Sequence, residues 1–220
     1  MLFRLTNLLI HLINPFLGKR NQFNKQKHSI LYPINFLMWI VLIPFKIIEI
    51  VGFSYGLNYI FNLFTKTRPL TDFETNELKL VFKDSINYSK VRINENSKWA
   101  KAGRKLINAK QLGFVFMNTI NFTQPINCKS NKEDMFWLVH EMVHISQFKA
   151  LGIQYVFEAL VAQNIGGYNY GNNLKNNPNL SFYNLEQQAD IIKHYYITLK
   201  AQKNTQLFQT SVLDLLFMRF

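Results

Sequence analysis

His140, Glu141 and His144 stand in the stretch LVHEMVHISQF, Leu138 to Phe148, in the order His-Glu-x-x-His. On an α-helix, residues four apart lie one turn above each other, so two imidazoles so spaced can grip one ion from the same face. Glu141 falls about 100° further round the helix, beside such an ion rather than under it. Two neutral nitrogen donors, a third protein ligand and a carboxylate able to take a proton from water are what zinc hydrolysis requires. The competing reading is two ordinary histidines on an amphipathic core helix, and a third ligand decides between the two.

The positions at which the metzincin pattern carries its glycine and third histidine hold Gln147 and Ala150, which excludes that arrangement. The other common solution is a glutamate on a later helix with an aspartate four residues on, and FYNLEQQADIIKHYY contains Glu186 and Asp190 so spaced. With these residues in view, the chain resembles gluzincin-type zinc metallopeptidases. The resemblance implies Zn2+ held by His140, His144 and Glu186, with Asp190 orienting a ligand histidine. It further implies that Glu141 acts as general base toward a water that attacks a peptide carbonyl. Over roughly Thr71 to Lys200, the runs VRI, GFVFMNTINF, LVHEMVHISQF, YNYG and FYNLEQQADII are similar to an uncharacterised bacterial family of predicted zinc peptidases. Relatives of that general kind occur near contractile injection systems and polymorphic toxins.

Two departures from the gluzincin pattern stand out: the interval between His144 and Glu186 is short, and no motif marks a residue that would stabilise an oxyanion. Tyr168, Tyr170, Tyr183 and His194 are the candidates, although residues of these types in such places more often serve as packing aromatics or surface histidines. Gln147, Gln187 and Gln188 could bring amides near the metal, or lie on an ordinary helix surface. No phosphate-binding glycine loop and no nucleophile-elbow serine is present.

Local signals frame these residues. Thr71 and Glu74 make a capping box before a helical pattern of Phe73, Leu78, Val81 and Phe82. Lys90 to Asn94 reads as a strand, and Phe114 to Phe122 reads as extended chain turning near the Asn118-Thr119 step. Ser130 and Glu133 form a second capping box, opening a helix that stops at Gly152. Further helices are expected over Ile153 to Gln163 and from near Asn184, with a glycine- and asparagine-rich loop between them. The predicted fold is α+β: a mainly helical, zincin-like domain over residues 71–220 with a small antiparallel sheet, preceded by an apolar helical region over 1–70.

Of the 220 residues, 48% are hydrophobic and 17% charged, too apolar for disorder and too interrupted for a polytopic membrane protein. The net charge of +12 is concentrated early: residues 1–70 hold eight Lys or Arg against the single acid Glu49. Beside apolar sequence, that surplus points to an anionic membrane surface rather than to nucleic acid. Residues 1–17 have amphipathic helical spacing, and the uncharged runs 29–45 and 50–65 each fall just short of a bilayer span. Basic residues on both flanks suit attachment from the cytoplasmic side, and no cleavable signal peptide is expected. Cys128 is the only cysteine, so neither an internal disulfide nor a multi-thiolate zinc site can form. The expectation is a membrane-associated zinc metalloendopeptidase acting on a peptide or protein substrate. The alternative is a non-catalytic zinc-binding or structural module of a membrane or secretion assembly.

Overall fold

The computed structural model describes residues 65–107, 113–152, 154–161 and 169–216, with single helical positions between Ile40 and Leu63. At 103–107, 157, 160, 161 and 172 it describes the backbone alone. The expected helix at 1–17 and most of the apolar runs 29–45 and 50–65 lie outside the described residues. Among the described residues, no helix is long and apolar enough to cross a membrane.

The domain opens as its capping box dictates. Helix α1 (Asp72–Phe82) starts at Thr71, whose hydroxyl accepts from the Glu74 N–H while the Glu74 carboxylate accepts from the Thr71 N–H. Leu78, Val81 and Phe82 turn inward and are fully buried. Strand β1 (Arg92–Asn94) follows, then helix α2 (Lys98–Ile107), strand β2 (Gly113–Phe116) and strand β3 (Thr119–Phe122).

The sheet runs β1-β3-β2, with β3 central and buried along its whole length. It is mixed, not wholly antiparallel as expected: β2 pairs antiparallel with β3, whereas β1 pairs parallel with it. The reason is strand order: β3 lies between β1 and β2, with α2, a helix the sequence reading did not mark, and β2 lying between β1 and β3 in the chain. Parallel neighbours need a crossover of a dozen or more residues, and a helix between β1 and β3 supplies it. The chain announces α2 through Ser97, whose hydroxyl accepts from the Ala100 N–H and donates to Asn121 in the sheet centre. The hairpin turns at Met117-Asn118, one residue earlier than expected, with Met117 in the left-handed region at φ 58°. Burial of the Met117 side chain, at 3% exposure, offsets that strain.

Helix α3 (Lys132–Leu151) is capped by Asn131, which accepts from the Glu133 N–H; the Ser130 cap expected from sequence lies one residue too early. It ends at Gly152, φ 61°, as a glycine stop should. Helices α4 (Gln154–Val161), α5 (Leu185–Lys200) and α6 (Gln209–Leu216) complete the domain. Asn184 caps α5 in a box with Gln187. One core joins α1, the sheet, α3, α5 and α6, and a smaller apolar cluster of Met117, Phe148, Tyr155, Ala159 and Leu185 sits under α4.

Arg68 fastens the start of the domain. Its backbone exchanges hydrogen bonds with Ile93, and its guanidinium binds both oxygens of Glu74, at 2.8 and 2.9 Å, and Glu95 at 3.0 Å. Burial alone would push the Glu74 carboxyl up, but the Arg68 fork and the Thr71 N–H hold it below the usual carboxylate range. Such a group contributes stability above its unfolded value of 4.5 and loses it as the pH falls through the depressed folded value. Arg68→Met leaves Glu74 charged, buried and half-satisfied. The Arg68 side chain is 29% exposed, so part of the loss is screened. We expect about 2–4 kcal/mol of destabilisation, read from urea unfolding at neutral pH; an unchanged midpoint would refute this account.

Candidate metal centre

Helix α3 lies against α5 along much of its length, and the site is built where they cross. From Leu138 to Phe148 every side chain of α3 is buried, so the helix carries its polar residues inside the protein. His140 and His144 stand one turn apart on the face toward α5. Glu186 enters from the first turn of α5, 1% exposed.

The three donor atoms form a nearly equilateral triangle. His140 Nε2 and His144 Nε2 are 3.2 Å apart, and Glu186 Oε2 lies 3.3 Å from the first and 3.4 Å from the second. A metal ion bound tetrahedrally at roughly 2.0–2.1 Å places its ligands about 3.3–3.4 Å apart, so the residues fit one face of such a tetrahedron. His140, His144 and Glu186 thus lie close enough to bind a metal ion. Two imidazoles and one carboxylate suit a transition-metal cation better than calcium or magnesium.

The electrostatics ask for positive charge at this place. Burial disfavours a charged His140, but hydrogen bonds to Asp190 and Glu186 overcome it and push the imidazole up to about 9. Against the same burial, the charge of Glu186 and its hydrogen bond raise His144. Glu186 itself is held far below the usual carboxylate range: burial opposes its ionisation, but both histidines outweigh it.

Each histidine has its second nitrogen fixed. His140 Nδ1 donates to Asp190 at 2.9 Å, the orienting role expected of that aspartate. His144 Nδ1 donates to Gln147 Oε1 at 2.7 Å. The Gln147 amide donates in turn to Leu185 O at 3.0 Å and Gln188 Oε1 at 2.9 Å, and the Gln188 amide donates to Leu180 O and Tyr183 O. Both glutamine NH2 groups therefore face acceptors, which turns the Gln147 oxygen toward His144 and fixes the proton on Nδ1. That tautomer leaves the Nε2 lone pair available to a metal ion. Of the three glutamines singled out from sequence, Gln147 and Gln188 form this relay. Gln187 instead closes the α5 cap and donates to Asn169 O, tethering the loop that carries Tyr170.

Glu141 has a different environment from the ligands. Burial raises its carboxyl, against the pull of the two histidines. Its Oε1 accepts from the Trp137 indole N–H at 3.2 Å, while Oε2 is buried with no hydrogen-bond partner among the described residues. Gly113, at the head of β2, leaves room for this carboxylate: an added Cβ there would lie 2.3 Å from Oε1. Trp137 and Gly113 were missed in the sequence, although a glycine opening a strand is a recognised sign of close backbone approach.

Of the oxyanion candidates, Tyr170 and His194 come together, with the Tyr170 hydroxyl 2.8 Å from His194 Nδ1. The charge of Asp190 acts on both, and that of His140 acts on His194, which places the pair beside the site. Burial and the neighbouring Lys193 lower His194, favouring the neutral imidazole. Tyr183 is committed elsewhere: it is 1% exposed and its hydroxyl donates to Asn177 O. Tyr168 lies outside the described residues.

In sequence, the chain is similar to the type VI secretion system spike protein VgrG2b of Pseudomonas aeruginosa, with 28% identity over 134 residues. The match covers 59% of this chain and 13% of that protein, so the likeness is to a segment of a much longer one. No model of a known protein family and no solved structure matches the chain.

Glu186→Ala should abolish stoichiometric metal binding, measured by inductively coupled plasma mass spectrometry. Gln147→Leu should keep the metal but weaken affinity by about 10–100-fold in a chelator competition. Unchanged affinity in the Gln147 variant would show that the amide relay does not control His144.

Proposed function

We propose that the chain is a zinc-dependent peptidase working with secretion machinery. The carrying observation is Glu141 Oε2, a buried carboxylate oxygen with no hydrogen-bond partner among the described residues, on the helix that supplies two donors of the triangle. A purely structural metal site has no use for such a group, because it leaves a polar atom desolvated and unsatisfied. Zinc is the ion best suited to a site of two imidazoles and a carboxylate, and when bound it supplies a Lewis acid that activates water and polarises a carbonyl.

The chain's own residues divide the remaining work. His140, His144 and Glu186 hold the ion, with Asp190 and Gln147 keeping the two imidazoles in the Nδ1–H form. Trp137 holds one oxygen of Glu141, so the other is free to accept a proton from water and hand it to the leaving amine. Tyr170, with its hydroxyl on neutral His194, is the donor best disposed to steady a developing oxyanion. β2 is the outer strand beside α3, and among the described residues no further strand pairs with it, which suits pairing with an extended peptide. The similarity to a segment of a secretion spike protein supports a place in such an assembly.

The other reading, a zinc-binding module without catalysis, draws support from the burial of the donors, none more than 7% exposed. One variant separates the two. Glu141→Gln should retain zinc and lose hydrolysis of fluorescein-labelled casein by about 10²–10⁴-fold. A wild-type protein that binds zinc yet cleaves neither casein nor a mixed peptide library would favour the structural module.

A further inference from the structure

We propose that α2 and the helical positions around Phe61 form a docking surface for an anionic lipid membrane. Phe61 joins the two pieces: its ring lies 6.4 Å from that of Trp99 in α2 and 5.1 Å from that of Phe116 in β2. Around it, the large side chains point outward. Trp99 is 59% exposed, Tyr59 69%, Ile60 52% and Leu63 63%. Tyr59, Ile60 and Leu63 are spaced to share one helical face. Single exposed apolar residues need no explanation, but a grouped set with a tryptophan does.

Charge identifies the occupant. No acid occurs between Glu49 and Asp72, and none between Glu95 and Glu133. Glu95, the last acid before α2, is tied to Arg68. Within the second acid-free stretch, α2 carries Lys98, Lys101, Arg104 and Lys105. Lys98 and Trp99 are both exposed at its start. A basic helix presenting an aromatic ring beside aliphatic side chains suits the boundary between anionic headgroups and acyl chains. Nucleic acid would use the lysines but leave Trp99, Ile60 and Leu63 in water. A second copy would set one basic helix against another.

The location adds a consequence. Phe116, on which Phe61 packs, ends the strand whose first residue, Gly113, abuts Glu141. A membrane bound here would lie next to the open edge of β2, and the substrates of the proposed peptidase would be segments close to a lipid surface. Docking itself does not depend on the peptidase reading.

The test is binding of the full chain to phosphatidylcholine vesicles with and without phosphatidylglycerol, by co-sedimentation and tryptophan emission, at low and high salt. The proposal expects binding only with phosphatidylglycerol, weakened by salt, and a blue shift that Trp99→Phe reduces. Lys98→Gln and Lys101→Gln should each weaken binding about fivefold, and Trp99→Ala roughly tenfold or more. Glu141→Gln should bind as wild type, which separates this result from any failure of the peptidase reading. Equal binding to phosphatidylcholine alone, or binding indifferent to Lys98→Gln, Lys101→Gln and Trp99→Ala alike, would overturn the proposal. So would preference for a DNA duplex, or a dimer that Trp99→Ala dissociates.

Discussion

The burial of two imidazoles against two carboxylates between α3 and α5 is the constraint from which the rest of the site follows. Ions taken out of water lose several kcal/mol of solvation each, and only close, fully hydrogen-bonded partners make the arrangement tolerable. Glu186 reaches both histidines, and Asp190 holds the outer nitrogen of His140. The two helices can therefore pack in one register, since sliding either by a turn would strand a buried charge. The same packing sets the donor triangle at the size a tetrahedral ion requires.

The two ligand histidines are held by different chemistry. His140 leans on a carboxylate, which adds negative charge and strengthens the nitrogen as a ligand. His144 leans on a neutral amide that passes through Gln147 and Gln188 to the backbone just before α5. The relay adds no charge, yet it ties the metal site to the Leu180 to Leu185 approach, so helix cap and ligand geometry form together. Glu141 is kept apart from these bonds, and the missing side chain at Gly113 leaves room for its Oε1.

The outer strand connects the site to the surface. β2 touches Glu141 at one end and Phe61 at the other, so the metal centre and the basic, aromatic face around α2 share a single short element. α2 and β2 together span the crossover between β1 and β3, and Lys98 and Trp99 stand exposed at the start of α2.

Much of the site could be read from sequence, because its defining spacings are local. His140 and His144 share a helix, as do Glu186 and Asp190, and spacing alone sets which residues share a face. Thr71, Asn184 and Gly152 marked their helix ends for the same reason: caps are bonds between near neighbours. What sequence left open involves pairs far apart in the chain. Parallel pairing of β1 with β3, the Gln147–Gln188 bond, the meeting of Tyr170 with His194 and the clearance at Gly113 each depend on where a distant segment comes to rest. Even α2, a local element, was hidden, because its cap Ser97 owes part of its setting to Asn121 across the sheet. Residue types and spacing determined that two histidines could present their nitrogens together; only tertiary packing, by burying Glu186 and orienting the second nitrogens, brought those nitrogens and a carboxylate oxygen close enough to bind one metal ion.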